Sequence, residues 1–491
     1  MGDILLSYYI AQDLPFDILH EIFELCLPSV DNPPVDHQPN FTLAPLLLCH
    51  ICVSWRTAAL SMASLWRSTT FTLYTTRRHD PPSDRLLLRK TTQFIAWWKK
   101  NIGDVAPSLY LPWSSTQPGR RKNLTGLQDV HKALFDSAFF RSAHTLRLVI
   151  MNQELDIICS NPVAFPNLSQ LRIESIQDSL MPRIEISSFP PSPLLSRIQI
   201  SHAESFQERT LNIFPWAQLT HLYLPRTMTV GAWKALVQRC TNFKVVAVML
   251  SGADSGGTDG APVVVNNLRQ LVAASNSMRT GIPFTGMLFP NLTAFRLISS
   301  FIAGRVRSLD VLEGLLSAMP ALKELHLDSA LSFTDEEYIP FDQARARSGR
   351  CLSTLLPNLQ HLVIDFIDPS TDNVAGNIIR FLRSEWLCYG WDPLPQDYSE
   401  SSPSSSYHRR TLKFIISDSS YVYEEPIPNE IVAEVSTFLH SEVWEDISAP
   451  FEVSIHEEEL VKPVGRSVFD VFDEDMPSKG WDKAVDFCTP A

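Results

Sequence analysis

Features that would assign a cell compartment directly are scarce in this sequence of 491 residues. Its eight cysteines are spread thinly along the chain, unlike the dense cysteines of a disulfide framework. No hydrophobic stretch reaches the roughly 18 residues of a membrane-spanning helix, and the first residues lack the basic and apolar regions of a signal peptide. We therefore expect a protein of the reducing cytoplasm or nucleus with no membrane partner. The Asn-x-Ser/Thr triplets are then chance matches rather than glycosylation sites, and they begin at Asn40, Asn123, Asn167 and Asn291.

Positive charge is also in short supply. Lys and Arg together number 41 against 54 Asp and Glu, which gives a net charge of −13. Sequence-independent binding of DNA or RNA depends on cationic side chains that neutralise phosphates. The charge balance therefore argues against a nucleic-acid partner.

Motifs that carry catalytic chemistry are missing as well. The sequence has no Gly-x-x-x-x-Gly-Lys-Ser/Thr loop, no Gly-x-Ser-x-Gly and no His-Glu-x-x-His. Cys49 and Cys52 form a Cys-x-x-Cys, but no second pair completes a zinc site, and the apolar neighbours favour buried structural cysteines. We expect a non-catalytic protein that needs no metal or cofactor. An enzyme that uses Cys or His chemistry is the weakest alternative.

The sequence does contain a repeated pattern: an apolar residue, two variable residues, a second apolar residue, one variable residue and a third apolar residue. Successive first apolar positions are 24 to 49 residues apart, and the longest interval leaves room for a degenerate unit around "VVVNNLRQLV". Looser matches occur near 106–113 and 142–150. A period of about 20–29 residues is typical of leucine-rich repeats. The seven matching segments begin at Asn167, Leu194, Gln218, Asn242, Asn291, Ala321 and Asn358.

The pattern also predicts how each repeat folds. Its last two apolar residues are two positions apart, so in a strand they point the same way into a core. Stacked repeats cover one another's apolar faces. The variable residue between the last two apolar positions points the other way, to an inner, concave surface. We expect this surface to bind a protein substrate; the alternative is that these residues are only exposed to solvent. The candidate substrate-binding residues are Arg172, Gln199, Tyr223, Arg296 and His326.

Composition divides the chain into six segments. In the fifth, "TLKFIISD" and "PFEVSIHEE" predict strands, and "PNEIVAEVSTFLH" predicts a helix. The segments are an N-terminal stretch 1–12, a helical domain 13–75 with a proline-rich insertion 28–44, irregular repeats 76–391, a Ser/Pro-rich loop 392–411, a last repeat or cap 412–460 and an acidic tail 461–491.

The stretch "LPFDILHEIFELCLP", residues 14–28, predicts a helix with an unusually wide apolar face. Its polar residues share one arc of the helix, whereas the apolar residues cover roughly 200° at about 100° per residue. An ordinary surface helix buries a narrower stripe. The wide arc suits two contacts, one with the helix's own domain and one with a partner. A small, tightly packed helical core is the alternative.

The N-terminal region resembles the F-box, and the whole chain is similar to fungal F-box proteins with irregular leucine-rich repeats. The resemblance is carried by the Leu-Pro start of "LPFDILHEIFELCL", by "LLLCHICVSWRTAAL" with its cysteine and tryptophan, and by the "LW" at 65–66. It implies an α/β solenoid in which a small all-α N-terminal domain precedes a leucine-rich-repeat horseshoe.

The resemblance also implies a function. The F-box is a three-helix unit that docks on the Skp-type adaptor of a cullin-based, SCF-type ubiquitin ligase. The chain would then be a substrate receptor in ubiquitin-dependent protein degradation, and the repeats would bind the substrate. The adaptor-binding residues that the resemblance implies are Leu14, Pro15, Ile18, Ile22, Phe23, Trp55, Leu65 and Trp66.

Two features depart from the family pattern. The loop between Leu27 and Pro45 is longer than in a compact F-box. It favours an alternative function, a leucine-rich-repeat interaction scaffold with no ubiquitin role, in which the helical region only caps the solenoid. The eighth repeat position, where regular repeats place Asn or Cys, predicts no amide ladder along the stack. The residues there are Ile176, Ala203, Thr227, Ser251, Ser300, Ala330 and Ile367.

Overall fold

The fold comes from a computed structural model of the chain. The chain forms two compact units, and among the described residues the first unit ends at Leu219 and the second begins at Thr220. The described residues are 14–27, 44–70, 84–111, 132–150, 152–160, 163–175, 188–201, 213–251, 262–275, 284, 286–299, 309–328, 350–366, 374–384, 387, 410–416, 429–441 and 451–457.

The first unit begins with short helices. The first of them follows Pro15, whose φ of −54° suits a position just before a helix. Cys52 is extended, with φ −155° and ψ 174°, and it separates the next two helices. Its Sγ accepts a hydrogen bond of 3.4 Å from the backbone N–H of Trp55 and so caps the third helix. These helices are α1 (Phe16–Leu25), α2 (Leu48–Ile51) and α3 (Val53–Ser61), followed by a 3₁₀ helix (Ala63–Trp66).

A parallel sheet forms the rest of the first unit. Its strands pair in chain order, each with the next. Parallel neighbours need long crossover connections, and three of the four here contain a described helix. The strands are β1 (Ser68–Thr70), β2 (Ser108–Leu111), β3 (Thr145–Ile150), β4 (Gln170–Ser175) and β5 (Arg197–Ser201). The helices between them are α4 (Asp84–Ile102), α5 (Ala138–Arg141) and α6 (Asn152–Ser160).

The second unit repeats the arrangement on a larger scale. Its sheet is also parallel, and its strands again pair in chain order, apart from two short strands that pair only with each other. The sheet strands are β6 (His221–Thr229), β7 (Val245–Ser251), β9 (Gln270–Ser275), β11 (Ala294–Ser299), β12 (Glu324–Asp328), β13 (His361–Phe366), β14 (Arg410–Ile416) and β15 (Phe451–Glu457); the short strands are β8 (Val263–Val264) and β10 (Met287–Leu288). The helices are α7 (Val230–Arg239), α8 (Leu309–Ser317), α9 (Leu352–Leu355), α10 (Val374–Arg383) and α11 (Asn429–Leu439).

The chain therefore belongs to the α/β class, and the repeat pattern is confirmed at the level of strands. Each of the seven matching segments forms one strand of a parallel sheet. The degenerate unit is β9, and the looser early matches are β2 and β3. The strands and the helix expected in 412–460 are β14, β15 and α11.

The leucines of the pattern share one face of the sheet, which we call the leucine face. In β12, for example, Leu325 and Leu327 are 1% and 3% exposed. Full burial of such a side chain stabilises a fold by about 1.5–3 kcal/mol. The alternating pattern thus forms the core that the sequence predicts.

The residues that immediately precede the sheet strands are joined from strand to strand by backbone hydrogen bonds. We call this set of residues the pre-strand row. Each row N–H donates to the carbonyl of the row residue before the preceding strand, except at Pro107, which has no N–H; there the N–H of Ser108 donates to the carbonyl of Arg67 at 2.7 Å. In the second unit, for example, Lys244 donates to Thr220 and Arg269 donates to Lys244, both at 2.8 Å. The row in the first unit consists of Arg67, Pro107, His144, Ser169 and Ser196; the row in the second consists of Thr220, Lys244, Arg269, Thr293, Lys323 and Gln360.

A ladder of side-chain amides joins successive repeats, so the prediction of no amide ladder is wrong. The amides lie one position before the first leucine of the pattern, and each donates to a backbone carbonyl of the preceding repeat. Asn291 Nδ2, for example, donates to the carbonyl of Asn266 at 2.8 Å. The other donors are Asn167 to Ser142, Gln218 to Ser192 and Leu195, Asn267 to Thr241, and Asn358 to Pro320.

Candidate functional site

Exposed apolar side chains are concentrated on the short N-terminal helices. Of the thirteen large hydrophobic side chains that are exposed among the described residues, seven lie within residues 16–60. A concentration of this kind marks an interaction site more often than scattered exposure does. We call these seven the helical apolar surface: Phe16, Ile18, Leu25, Leu47, Ile51, Val53 and Leu60.

The opposite side of α1 packs inside its own unit. Leu19 and Phe23 are 2% and 0% exposed, and they lie four residues apart on one side of the helix. The ring centroid of Phe23 is 5.0 Å from that of Trp55 on α3. In the polar arc, His20 Nε2 lies 3.6 Å from a carboxylate oxygen of Glu24, a contact that is an ion pair when the histidine is protonated. The helix thus has one apolar side in the core and another in solvent.

Five of the residues implied as adaptor contacts have accessible surface. Pro15 and Ile18 are exposed, with Ile18 at 48%. Leu14, Ile22 and Trp55 are half-buried.

The other three implied contacts belong to the core. Phe23, Leu65 and Trp66 are 0%, 1% and 0% exposed, so their side chains present no surface to a partner. Trp66 Nε1 donates to the carbonyl of Ala59 at 2.8 Å, and its own carbonyl accepts from Trp98 Nε1 at 2.6 Å. These three side chains hold the helices against the start of the sheet.

Two strongly exposed residues were not among the predicted contacts. Leu25 is 86% exposed and Val53 is 76% exposed. Leu25 lies within the wide apolar arc that the sequence predicts for α1, so the arc itself was the signal. Val53 lies in the first turn of α3, beside the capping Cys52, and only the break between α2 and α3 brings it to the surface.

The helices and the first strands are directly connected in space. β1 begins two residues after Trp66 and pairs with β2. The Trp66 ring lies edge-on to the rings of Trp97 and Trp98 on α4, with centroids 5.1 Å apart in both cases. An aromatic cluster therefore joins the end of the short helices to α4.

The predicted substrate-binding residues line up on the sheet face opposite the leucine face. In the first unit Arg172 is the register partner of Gln199. In the second unit the register runs from Tyr223 through Ala247 and Val272 to Arg296 and then His326.

Most of these residues are nevertheless buried, which corrects the expectation of an exposed strip. Gln199, Tyr223, Arg296 and His326 are 7%, 3%, 4% and 6% exposed, and only Arg172 is half-buried. The motif fixes the direction of a side chain but not what covers that face. A parallel sheet that is buried on both faces has nearly continuous apolar strands, and β7, with "VVAVMLS", is of this kind.

Accessible surface on the opposite face lies elsewhere in each unit. In the first unit Tyr110, Arg147 and Arg172 are register neighbours and half-buried. The Arg147 guanidinium lies 4.6 Å from the centroid of the Tyr110 ring. In the second unit Lys413 is half-buried and Ser454 is exposed.

Within the Cys-x-x-Cys, Cys52 caps α3, but neither cysteine is fully buried as expected. Cys49 and Cys52 are half-buried, and burial raises the pKa of the Cys49 thiol, although nearby Arg56 acts in the opposite direction. A raised pKa keeps the thiol protonated and less nucleophilic. Within the described part of the chain, no group of three His, Cys, Asp or Glu side chains is placed to hold a metal ion. Of the helices among the described residues, none combines the length and apolar character needed to cross a bilayer.

Comparison with known proteins adds no relative. No protein-family model matches the chain, and no curated protein matches it.

Proposed function

We propose that this chain is the substrate-recognition subunit of a cullin-based ubiquitin ligase. The helical apolar surface carries the proposal. It presents about half of the large exposed apolar side chains of the described residues on three short helices and the turn that precedes the second. Large apolar anchors supply most of the energy in protein interfaces. A Skp-type adaptor is the partner that the F-box resemblance of this region suggests.

In this proposal the receptor does no chemistry. The N-terminal domain docks the adaptor and through it a cullin, and the repeats, as a leucine-rich-repeat horseshoe, bind the protein substrate. Ubiquitin transfer is then accelerated because the substrate is held near the transfer site. Such a receptor works in the cytoplasm or the nucleus.

The revised adaptor contacts are the exposed ones. Ile18 and Leu25 replace the buried Phe23 and Trp66 as central anchors, and Pro15 lies at the start of the same helix. Arg147 and Arg172 in the first unit are the accessible candidates for substrate contact, because Arg296 and His326 are covered.

Calorimetric titration of the full chain with purified Skp-type adaptor tests the proposal. We expect one-to-one binding that the double variant Ile18→Ser/Leu25→Ser weakens at least tenfold, since each side chain loses part of an apolar burial of about 1.5–3 kcal/mol. The matched control is Val105→Ser/Leu194→Ser, which removes two exposed apolar side chains elsewhere in the first unit. Equal affinities for both variants would exclude the proposed interface.

A second candidate is a repeat scaffold with no ubiquitin role. The contacts of Trp66 with Trp98 and the pairing of β1 with β2 favour it, since a helical cap on a sheet needs such contacts. It predicts no heat of binding when adaptor is added to a chain whose circular dichroism shows it to be folded.

A further inference from the structure

We propose that the pre-strand row of the second unit carries a basic stripe that binds an acidic segment of a partner protein. The stripe consists of Lys244, Arg269 and Lys323. It is distinct from the helical apolar surface and goes beyond the proposed ligase function.

Backbone hydrogen bonds fix the spacing of the three cations. Lys244 precedes β7, Arg269 precedes β9 and Lys323 precedes β12. Each row carbonyl accepts from the next row N–H at 2.8 Å, with Thr293 between Arg269 and Lys323. The stripe therefore runs along the N-terminal ends of four neighbouring strands.

The three cations of the stripe, Lys244, Arg269 and Lys323, are exposed, and among the described residues none of them forms an ion pair. Within the described part of the chain, His20 and Glu24 lie within ion-pair distance of each other, and neither belongs to the stripe. Every charged residue of the pre-strand row is a cation or a histidine; the adjacent carboxylate is Glu324, the first residue of β12.

The polar neighbours of the stripe are already engaged with backbone. Asn267 and Asn291 donate to carbonyls of the preceding repeats at 2.7 and 2.8 Å. Thr293 Oγ1 donates to the carbonyl of Arg269 at 3.0 Å, and Arg269 Nη1 donates to the carbonyl of Asn291 at 3.2 Å. The lysine ammonium groups are therefore the donors best placed for a ligand, beside amides that are already bonded to backbone carbonyls.

Charge selects the class of partner. The chain carries a net charge of −13, so an acidic partner is repelled by the protein as a whole and attracted only at a local cationic surface. Three cations suit a short run of carboxylates. Nucleic-acid sites instead commonly engage about six to ten phosphates.

Strand spacing gives the length of the segment. Neighbouring strands lie about 4.8 Å apart, so the stripe spans about 14 Å from the first strand to the fourth. An extended chain advances about 3.3 Å per residue, so about five residues cover this distance.

Fluorescence anisotropy with a labelled peptide of ten glutamates tests the stripe on the full-length protein. At about 20 mM salt we expect binding that weakens at least tenfold in the triple variant Lys244→Gln/Arg269→Gln/Lys323→Gln. The matched control is Arg89→Gln/Lys99→Gln/Lys100→Gln, which removes two lysines and one arginine that are exposed on α4. The control should bind as the parent does. A tri-glutamate peptide should bind more weakly because it cannot span the stripe.

Three results would overturn the proposal. The first is no binding of the ten-glutamate peptide to the parent protein at low salt. The second is equal loss in both triple variants, which would mean that net charge alone attracts the peptide. The third is a single-stranded oligonucleotide of equal charge that displaces the peptide and binds more tightly, which would assign the stripe to nucleic acid.

Discussion

At the scale of single residues, Asn291 shows how one amide ties two repeats together. Its Nδ2 donates to the carbonyl of Asn266 at 2.8 Å. We expect Asn291→Ala to lower the free energy of unfolding by about 1 kcal/mol, the net contribution of one such hydrogen bond. Urea denaturation followed by circular dichroism measures the change.

The control for this variant is Asn266→Ala. The bond to Asn291 uses the backbone carbonyl of Asn266 and not its side chain, so the amide can be removed with the bond intact. The ladder has no role in stability if both variants unfold at the same urea concentration.

His144 should make stability depend on pH. Burial lowers its pKa, nearby Arg67 lowers it further, and a hydrogen bond that involves Asn167 partly opposes both effects. The folded chain therefore binds the proton less readily than the unfolded chain, whose histidine has the ordinary value of 6.5. This contribution to stability is complete above about pH 6.5 and is lost as the pH falls through the lowered pKa.

Urea titrations between about pH 7 and pH 5 measure the effect. The free energy of unfolding should fall with acidification in the parent protein and fall less in His144→Gln. Replacement of the exposed His440, which directly follows α11, by Gln serves as the control and should retain the parent's dependence. Parallel curves for the parent and His144→Gln would contradict the prediction.

At this scale the sequence predicted which face of the sheet a side chain points to, but not whether the rest of the chain buries it. The alternation of β12 places His326 opposite the leucine face, as the motif requires. Its burial depends on chain segments that are distant in sequence, and no local pattern reports them. The amide ladder could have been predicted from the sequence, because an amide residue such as Asn291 directly precedes the first leucine of the motif. The prediction was wrong because regular repeats place their amide at the eighth position.

At the scale of elements, Trp98 on α4 joins the N-terminal helices to the first sheet. Its Nε1 donates to the carbonyl of Trp66 at 2.6 Å in a buried site. Trp98→Phe keeps an aromatic ring but leaves that carbonyl without its donor, which costs about 1–3 kcal/mol. We expect a lower melting temperature and faster proteolysis of the N-terminal helices.

Trp97→Phe provides the matched comparison. Trp97 is 39% exposed, and its ring also contacts Trp66. This variant should melt close to the parent temperature. Similar losses in the two variants would show that ring packing, and not the indole hydrogen bond, joins the elements.

Strands were easier to predict than helices because the strands share one motif. Each of the seven segments assigned to the motif forms a strand, and so does the degenerate unit, β9. Helix α4 was not predicted, although Phe94, Trp97 and Trp98 have helical spacing. It lies between the N-terminal helices and the first regular repeats, so neither pattern included it.

At the scale of the whole molecule, net charge sets the response to salt. With a net charge of −13, the excess carboxylates repel one another in the folded chain, and salt screens this repulsion. Among the described residues, the pair of His20 with Glu24 is exposed, and an exposed pair contributes only about 0–1 kcal/mol, so screening of this pair removes little stability. We expect the melting temperature to rise between about 20 mM and about 500 mM sodium chloride.

Differential scanning calorimetry at neutral pH measures this rise. The same salt series near pH 5.5, the isoelectric point, is the control, since the net charge there is close to zero. The salt effect should shrink at that pH. A melting temperature that falls with salt at neutral pH would show that attractive pairs dominate.

Hydrogen bonds between successive repeats form whether the intervening chain is short or long. An interval of 25 residues separates Asn291 from Asn266, 38 separate Asn358 from Pro320, and 51 separate Arg410 from Leu359, yet a side chain reaches the preceding carbonyl each time. In genetic terms, insertions and deletions between strands should be tolerated. A single codon inserted within a strand motif would instead turn its leucines toward the wrong face. The gene can therefore gain or lose codons between the strand motifs while the encoded repeats keep their hydrogen bonds to one another.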